Sequence, residues 1–545
     1  MQKNNTYLKI GISVYLLMAC IIADPGQITA KIKLPLNPYL TTNSFPLPIL
    51  TSFSSGVFSP PSEKFNVKNY GAKGDGKTMD SPAINKAIEA AAEAGGGTVY
   101  LPAGTYLSGS IRLKSNVTLY LEQGCTIEAV FDTTAYDAPE PNPSGYQDFG
   151  HSHWHNGLIW GENLKDIAIE GHGVIYGKGL TRNHRDDHLP KGLGDKAIAL
   201  KNCHNVVLRD FSILHGGHFG ILATGVDNLT IDNLLIDTNR DGMDIDCCRN
   251  VRISGCSVNS PWDDGICLKS SYALGYARST DNVTISDCMV TGGYKEGTLL
   301  DGTFKPIGPD VKKPTGRIKL GTESNGGFKN ITITNCIFDR CRGLALETVD
   351  GGPLEDVSIS NITMRDIVNA PIFLRLGSRM RGPEGVPVGP LRRINISNIV
   401  VYNADPETGS IISGIPGHDI EDVTISNVRI VYQGGGAGQD AKINPPEKEN
   451  GYPEPSMFGQ LPSYGFYVRH VKGITFDNVQ LSYADKEERP PFALNDVKNA
   501  YFRFIQAASE KSSSLFLLNN VSDIHLFHTG PYPEKYVPKA VEKTL

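Results

Sequence analysis

A short unit recurs along most of this chain: an Asn or Asp, then apolar residues at alternate positions. It appears as Asn116-Val117-Thr118-Leu119, Asp166-Ile167-Ala168-Ile169, Asn205-Val206-Val207-Leu208 and Asn228-Leu229-Thr230-Ile231. It returns from Asn250, Asn282, Asn330, Asp356 and Asp422, and more loosely at Gly473. Alternation with period 2, rich in β-branched residues, reads as strand, because every second side chain of a strand shares a face. The tightest interval, Asn228 to Asn250, is 22 residues. Strands repeating at that spacing read as a solenoid. The expected fold is all-β, a single-stranded parallel β-helix whose coils stack at strand spacing. Apolar alternates should fill its interior, and the turn asparagines should hydrogen-bond the backbone of the next coil.

The open end of such a solenoid exposes strand edges that invite aggregation unless covered. Residues 81–91 supply a cover. Ser81 reads as an N-cap and Pro82 as the first helical residue, while Ile84, Ala87, Ile88 and Ala91 fall on one face. Gly95, Gly96 and Gly97 then stop this N-terminal capping helix. The expected organisation is one long β-helix domain over 63–530, a Pro/Ser/Thr-rich linker or extended arm over 24–62, and a C-terminal tail over 531–545.

Residues 1–23 read as a signal peptide, with Lys3 and Lys9 ahead of an apolar run from Ile10 to Ala23. Leu17-Met18-Ala19-Cys20 resembles a lipoprotein signal that would lipidate Cys20. Ordinary cleavage near Ala23 or Ala30 is the other reading. The expected location is therefore outside the cytoplasm, periplasmic or attached to the outer membrane, with a lipid anchor at Cys20 the one membrane contact. After residue 30 no apolar run reaches the roughly 18 residues of a membrane-spanning helix. The 545 residues carry 52 basic and 58 acidic groups, a net charge of −6. That balance excludes a nucleic-acid partner, which a basic excess would announce. Of the ten cysteines, Cys256, Cys288 and Cys336 sit inside apolar strand patterns and read as buried thiols. No cysteine spacing matches a zinc site.

Two consecutive coils are dense in carboxylates: Asn239-Arg240-Asp241-Gly242-Met243-Asp244-Ile245-Asp246, then Trp262-Asp263-Asp264-Gly265-Ile266-Cys267-Leu268-Lys269. Aligned on their glycines, Met243 lies over Ile266 and Ile245 over Leu268, both inward, and Asp241 lies over Asp264. Carboxylates stacked at strand spacing repel and raise one another's proton affinity, which a purely structural coil would avoid. Asp263, one position out of register, should point elsewhere. Three carboxylates over one patch suit glycoside hydrolysis, in which one acid protonates the leaving oxygen and ionised partners activate water. Asp246 over Lys269 reads as a surface ion pair.

These residues resemble glycoside hydrolase family 28, the pectin-degrading polygalacturonases and rhamnogalacturonan hydrolases. The resemblance opens at Phe65-Asn66-Val67 and Gly71-Ala72-Lys73-Gly74-Asp75-Gly76 and covers roughly 63–485. It implies a right-handed helix, Asp263 as general acid, and Asp241 and Asp264 holding the nucleophilic water in an inverting mechanism with no metal and no cofactor. Two family motifs depart. Gly316 stands where a histidine belongs, ahead of Arg317-Ile318-Lys319-Leu320-Gly321. Ala345 and Glu347 replace the two cations of an Arg-Ile-Lys string, while Arg317 and Lys319 fall one motif early. A Glu in place of a cation should repel galacturonate there, which favours a neutral sugar on one side of the linkage. Candidate substrate-binding residues are Asn239, Arg240, His218, Arg317, Lys319, Glu347 and Lys269.

His151, His153 and His155 alternate as metal ligands in a strand would, but no carboxylate lies nearby in sequence, and they read as a sugar-contacting loop. The expected protein is thus a monomeric, exported glycosidase whose partner is an acidic polysaccharide. The insertion from Val290 to Thr315 and the irregular stretch from Gly434 to Ser463 are long enough to wall off one groove end, which suggests cleavage from a chain terminus. Two alternatives stay open. A Ca²⁺-dependent β-helix lyase could use Asp241, Asp244, Asp246 and Asp264 around the ion, with Lys269 or Arg240 as base. A non-catalytic glycan-binding solenoid would need no carboxylate trio.

Overall fold

The computed structural model describes residues 65–141, 146, 150–181, 192–510 and 514–545. The signal and the whole arm read from the sequence, Cys20 included, lie outside the described residues. From Phe65 onward the chain winds into parallel strands, each paired with the strand one coil further on. Early coils carry three short strands. In one coil these are Phe219–Thr224, Asp227–Asp232 and Leu235–Asp237, followed in the next by Asp241–Asp246, Arg249–Ser254 and Ser257–Asn259. Phe219 pairs with Asp241, Leu229 with Val251 and Ile236 with Val258. In later coils the second and third strands fuse into single long ones such as Leu354–Arg365 and Leu391–Ala404. The expected parallel β-helix is what forms.

Period-2 alternation does the work inside. Val251, Ile253, Val283, Ile285, Ile331 and Ile333 lie in a continuous core, and each buried aliphatic side chain contributes about 1.5–3 kcal/mol. Nine cysteines, Cys256, Cys288 and Cys336 among them, are free and buried, as small core hydrophobes. The repeat asparagines sit at the corners in the left-handed region, Asn228 at φ 55° and Asn282 at φ 57°. That conformation suits Asn better than bulkier residues. They bond side chain to side chain rather than to the neighbouring backbone: Asn228 Nδ2 donates to Asn205 Oδ1 at 3.0 Å, and Asn282 to Asn250 at 3.0 Å. The side-chain amide of each coil is the nearer partner because equivalent corners stack directly.

The capping helix spans Ser81–Glu93 and buries Ile84, Ala87, Ile88 and Ala91. Its N-cap is Asp80 rather than Ser81, and the Asp80 carboxylate does not cap the helix. It accepts instead from the Lys73 and Gly74 backbone N–H groups at 2.7 and 2.9 Å. At the other end the residues read as a tail form the strand Tyr532–Thr544, antiparallel to Phe516–Thr529. Among the described residues no helix is long and apolar enough to cross a membrane.

A far-UV circular dichroism spectrum should be dominated by β structure; a helix-dominated spectrum would contradict the fold. Truncating Ile245, fully buried in the stack, to Ala should cost about 2–5 kcal/mol, read as a lower denaturation midpoint.

Candidate active site

One face of the helix is built by the strands Phe219–Thr224, Asp241–Asp246, Ile266–Ser270, Ile318–Ser324 and Leu344–Thr348. Met243 and Ile245 point inward over Ile266 and Leu268, as the register predicts. The corner ahead of these strands is tightly stacked. A Cβ on Gly242 would lie 2.4 Å from the Gly265 carbonyl oxygen, so only Gly fits directly after Asp241. This close approach brings Asp241, Asp263 and Asp264 together, with one oxygen of each within 4.8 Å of the others.

The trio is electrostatically differentiated. Asp241 and Asp264 are buried, whereas the Asp263 carboxylate is 30% exposed. Arg240 bridges Asp263 and Asp241, at 2.9 Å from the first and 3.5 Å from the second. Burial raises the proton affinity of Asp241, and the negative charges of Asp263 and Asp244 raise it further. Burial and the charge of Asp264 likewise push Asp263 up, against Arg240. Asp264 goes the other way. Burial would raise it too, but Lys319, Arg317 and Lys269 hold it well below the usual carboxylate range. Arg317 Nε donates to Asp264 Oδ1 at 2.8 Å, and Lys319 Nζ lies 3.3 Å from Oδ2. Arg317-Ile318-Lys319, one motif early in the sequence, thus supplies the cations that clamp an aspartate of the trio.

Other candidates take different places. Lys269 is buried, not a surface partner of Asp246. It lies 3.2 Å from Glu323 and 3.7 Å from Asp244, while Asp246 accepts from Ser271. Alternation turns both away from the interior, but covering segments bury them. His218 is fully buried, its ring edge-on to Phe219 at 4.4 Å. Asn239 is buried beside His215, one residue from Arg240. Glu347 is buried 3.6 Å from Lys319 and accepts from Thr322 Oγ1 at 3.3 Å. Burial pushes its carboxyl up to about 7 against Lys319 and Arg317.

The three histidines diverge. His151 reaches 2.9 Å from Asp244, and the Asp244 contact raises its proton affinity against the opposing effect of burial. His153 meets the Glu140 carbonyl. His155 does gain carboxylates, Glu162 at 2.9 Å and Glu140 at 3.3 Å, which sequence distance had hidden. Sequence reasoning also missed Tyr452 and Glu454. Tyr452 meets Thr322 Oγ1 at 3.1 Å, and the Lys319 ammonium lies 5.6 Å from its ring centre. Glu454 pairs with Arg317 and Arg342. Both belong to the aperiodic stretch before Phe466, which gives no register to read. Glu323 was legible in principle: it lies on the strand stacked on that of Lys269, a cation in need of a partner.

Loops cover both ends of this face. On the N-terminal side, Trp154 packs over Ala199, Phe219 and Leu222. On the C-terminal side, Met457, Phe458 and Leu461 pack over Ala345, Phe373, Ile411 and Tyr467. The 290–315 insertion runs along one flank. Glu296 meets His215 at 2.6 Å, and Lys313 meets Asp405 at 3.3 Å. The carboxylate trio lies between the two covered ends.

Residues 64–135 match the family described as rhamnogalacturonase A/epimerase, pectate lyase-like, and residues 196–382 match the right-handed β-helix region. The chain is 25% identical over 405 residues to a probable polygalacturonase of Vitis vinifera, covering 70% of this chain and 77% of that one. It is 27% identical over 368 residues to the exo-poly-α-D-galacturonosidase of Dickeya chrysanthemi, spanning 57% of this chain and about half, 56%, of that one. The solved family 28 exopolygalacturonase of Yersinia enterocolitica superposes with a TM-score of 0.60 at 18% identity, over 80% of this chain and 78% of that one. The chain is thus similar to polygalacturonases and exopolygalacturonases, relatives that indicate a glycoside hydrolase.

Because Glu347 has its proton affinity raised on folding, it favours the folded state fully only below the unfolded value of about 4.5. That contribution falls away as pH rises to about 7. Glu347→Gln should remove this slope: denaturation midpoints measured across that window should decline less in the variant than in the parent.

Proposed function

We propose that this enzyme hydrolyses a galacturonate-containing pectic polysaccharide, outside the cytoplasm, from a chain terminus. The observation that carries the chemistry is the split in proton affinity among three carboxylates that nearly touch. Asp241 and Asp263, both raised in proton affinity, share Arg240 between them. Asp263, the exposed member, faces the substrate and in its protonated form donates to the departing glycosidic oxygen. Asp241 in its ionised form takes a proton from water, while Asp264 holds the water's other hydrogen. Water oxygen bonds to the anomeric carbon as the C–O bond to the leaving sugar breaks. One water is consumed, and Asp263 regains a proton as Asp241 loses one. Two hydrogen bonds of about 2.7 Å from one water span roughly 4.4 Å, which suits oxygens within 4.8 Å of each other. The Asp263 oxygen also lies within 4.8 Å of the other two, nearer than the roughly 6.5–9.5 Å between acid and base in most inverting glycosidases.

Lyase chemistry fits less well. A Ca²⁺ among these aspartates would meet the Arg317 and Lys319 cations at Asp264. Lys269, opposed by burial but ringed by Asp244 and Glu323, has its proton affinity raised well above normal and is a poor base. Glu347, neutral below about pH 7, suits a neutral sugar hydroxyl at its subsite, as in an alternating uronate and neutral-sugar chain. Terminal action is supported by the covered ends of the groove and by the exo-acting name of the Dickeya relative.

Asp263→Asn should lower turnover roughly 100- to 10,000-fold with little change in binding, and should abolish the alkaline limb of the kcat/KM profile that loss of its proton creates. Near-normal turnover would reassign the acid. The anomer first released, read by NMR, should be inverted; retention would overturn the water-holding role of Asp241 and Asp264. On polymeric substrate, short products should accumulate while viscosity falls slowly, whereas an early steep fall would show internal cleavage.

A further inference from the structure

The face that carries the active site does not end where the 434–463 segment crosses it. Five strand steps from the strand after Asp264, the same outward column continues from Tyr467, at the edge of the crossing segment, through Ala493 to Leu517. At roughly 4.8 Å a step that is about 24 Å. There a groove of about 650 Å³ opens between the crossing segment and the last strand of the chain.

Its lining is that of a saccharide site. Tyr467 is 2% exposed, and its hydroxyl makes no hydrogen bond of ordinary geometry, although Asn495 lies beside it. A buried hydroxyl left so costs stability unless something satisfies it. Asn495 pairs in register with Asn519, so two side-chain amides stand side by side over an apolar floor at Leu517. The corner ladder runs separately, through Asn520 and Asp496. Amides offer both donors and acceptors, the mixture sugar hydroxyls require. Lys442 and Lys543 line the groove against one acid, Glu542, a positive balance that suits a chain of uronates.

We infer that this groove is a second polysaccharide-binding site, which holds an acidic glycan chain on the same face as the catalytic centre while the active site works on a terminus. The inference rests on the substrate class proposed above. Its function is retention: a polymer held twice leaves more slowly than one held once.

The test compares the full-length enzyme with the Asn495→Ala/Asn519→Ala double variant and with Leu517→Trp, which fills the groove from a half-buried position. Both should retain the parent's thermal midpoint and its kcat and KM on a short oligogalacturonide. On polygalacturonate, KM should rise about 10-fold, and retardation in native gels cast with that polymer should weaken. Unchanged polymer kinetics and retardation in both variants would overturn the second site. An equal loss on short and long substrates would also overturn it, by assigning these residues to the catalytic machinery. Failure of the parent itself to cleave any galacturonate polymer would instead sink the substrate class and leave the groove to be probed with other acidic glycans.

Discussion

Everything in this molecule follows from stacking equivalent residues at strand spacing. Parallel coils place each side chain directly over its counterpart, so a favourable choice at one coil is rewarded at the next and an unfavourable one is multiplied. Aliphatic positions thereby become a continuous core, and corner asparagines become ladders of amides bonded to amides. The same geometry makes a stack of aspartates costly. The fold tolerates that cost at one place, where Arg240, Arg317 and Lys319 lie against the trio.

The division of cations is what gives the three aspartates different chemistry. Two of them bear on Asp264 and hold it ionised. One, Arg240, is shared between Asp241 and Asp263, too little to offset their burial and mutual repulsion. Asp241 and Asp263 thus hold protons more tightly than a free carboxylate does, and Asp264 less tightly. Arg317 and Lys319 stand on the strand adjacent to Asp264, while burial pushes the neighbouring Glu347 carboxyl up to about 7 against them.

Loops then decide what the site can reach. The aperiodic 434–463 segment lays an apolar cover over the downstream face and delivers Tyr452 and Glu454 to Lys319 and Arg317. Trp154 covers the upstream face, and His151 of the same segment reaches Asp244. Neither segment has a repeat, so each is free to differ without disturbing the stack beneath.

The sequence alone determined the solenoid, the register of Met243 and Ile245 over Ile266 and Leu268, the buried cysteines and the proximity of the acidic trio. Each is a local periodic property, and stacking converts sequence interval directly into spatial neighbourhood. It misplaced what depends on the third dimension. Asp246 over Lys269 is correct in backbone register, yet Lys269 turns to Asp244 and Glu323 because covering loops bury it away from solvent. Ser81 looked like the helix cap because the residue before it is not visibly committed; in the fold Asp80 caps by position while its carboxylate serves Lys73 and Gly74. Arg317 and Lys319 looked like a motif out of place, and only the adjacent coil shows them bearing on Asp264. Contacts across more than a hundred residues, such as Glu454 on Arg317, have no period to betray them and were decided by tertiary structure, because a loop's landing point depends on the surface it finds rather than on its own pattern.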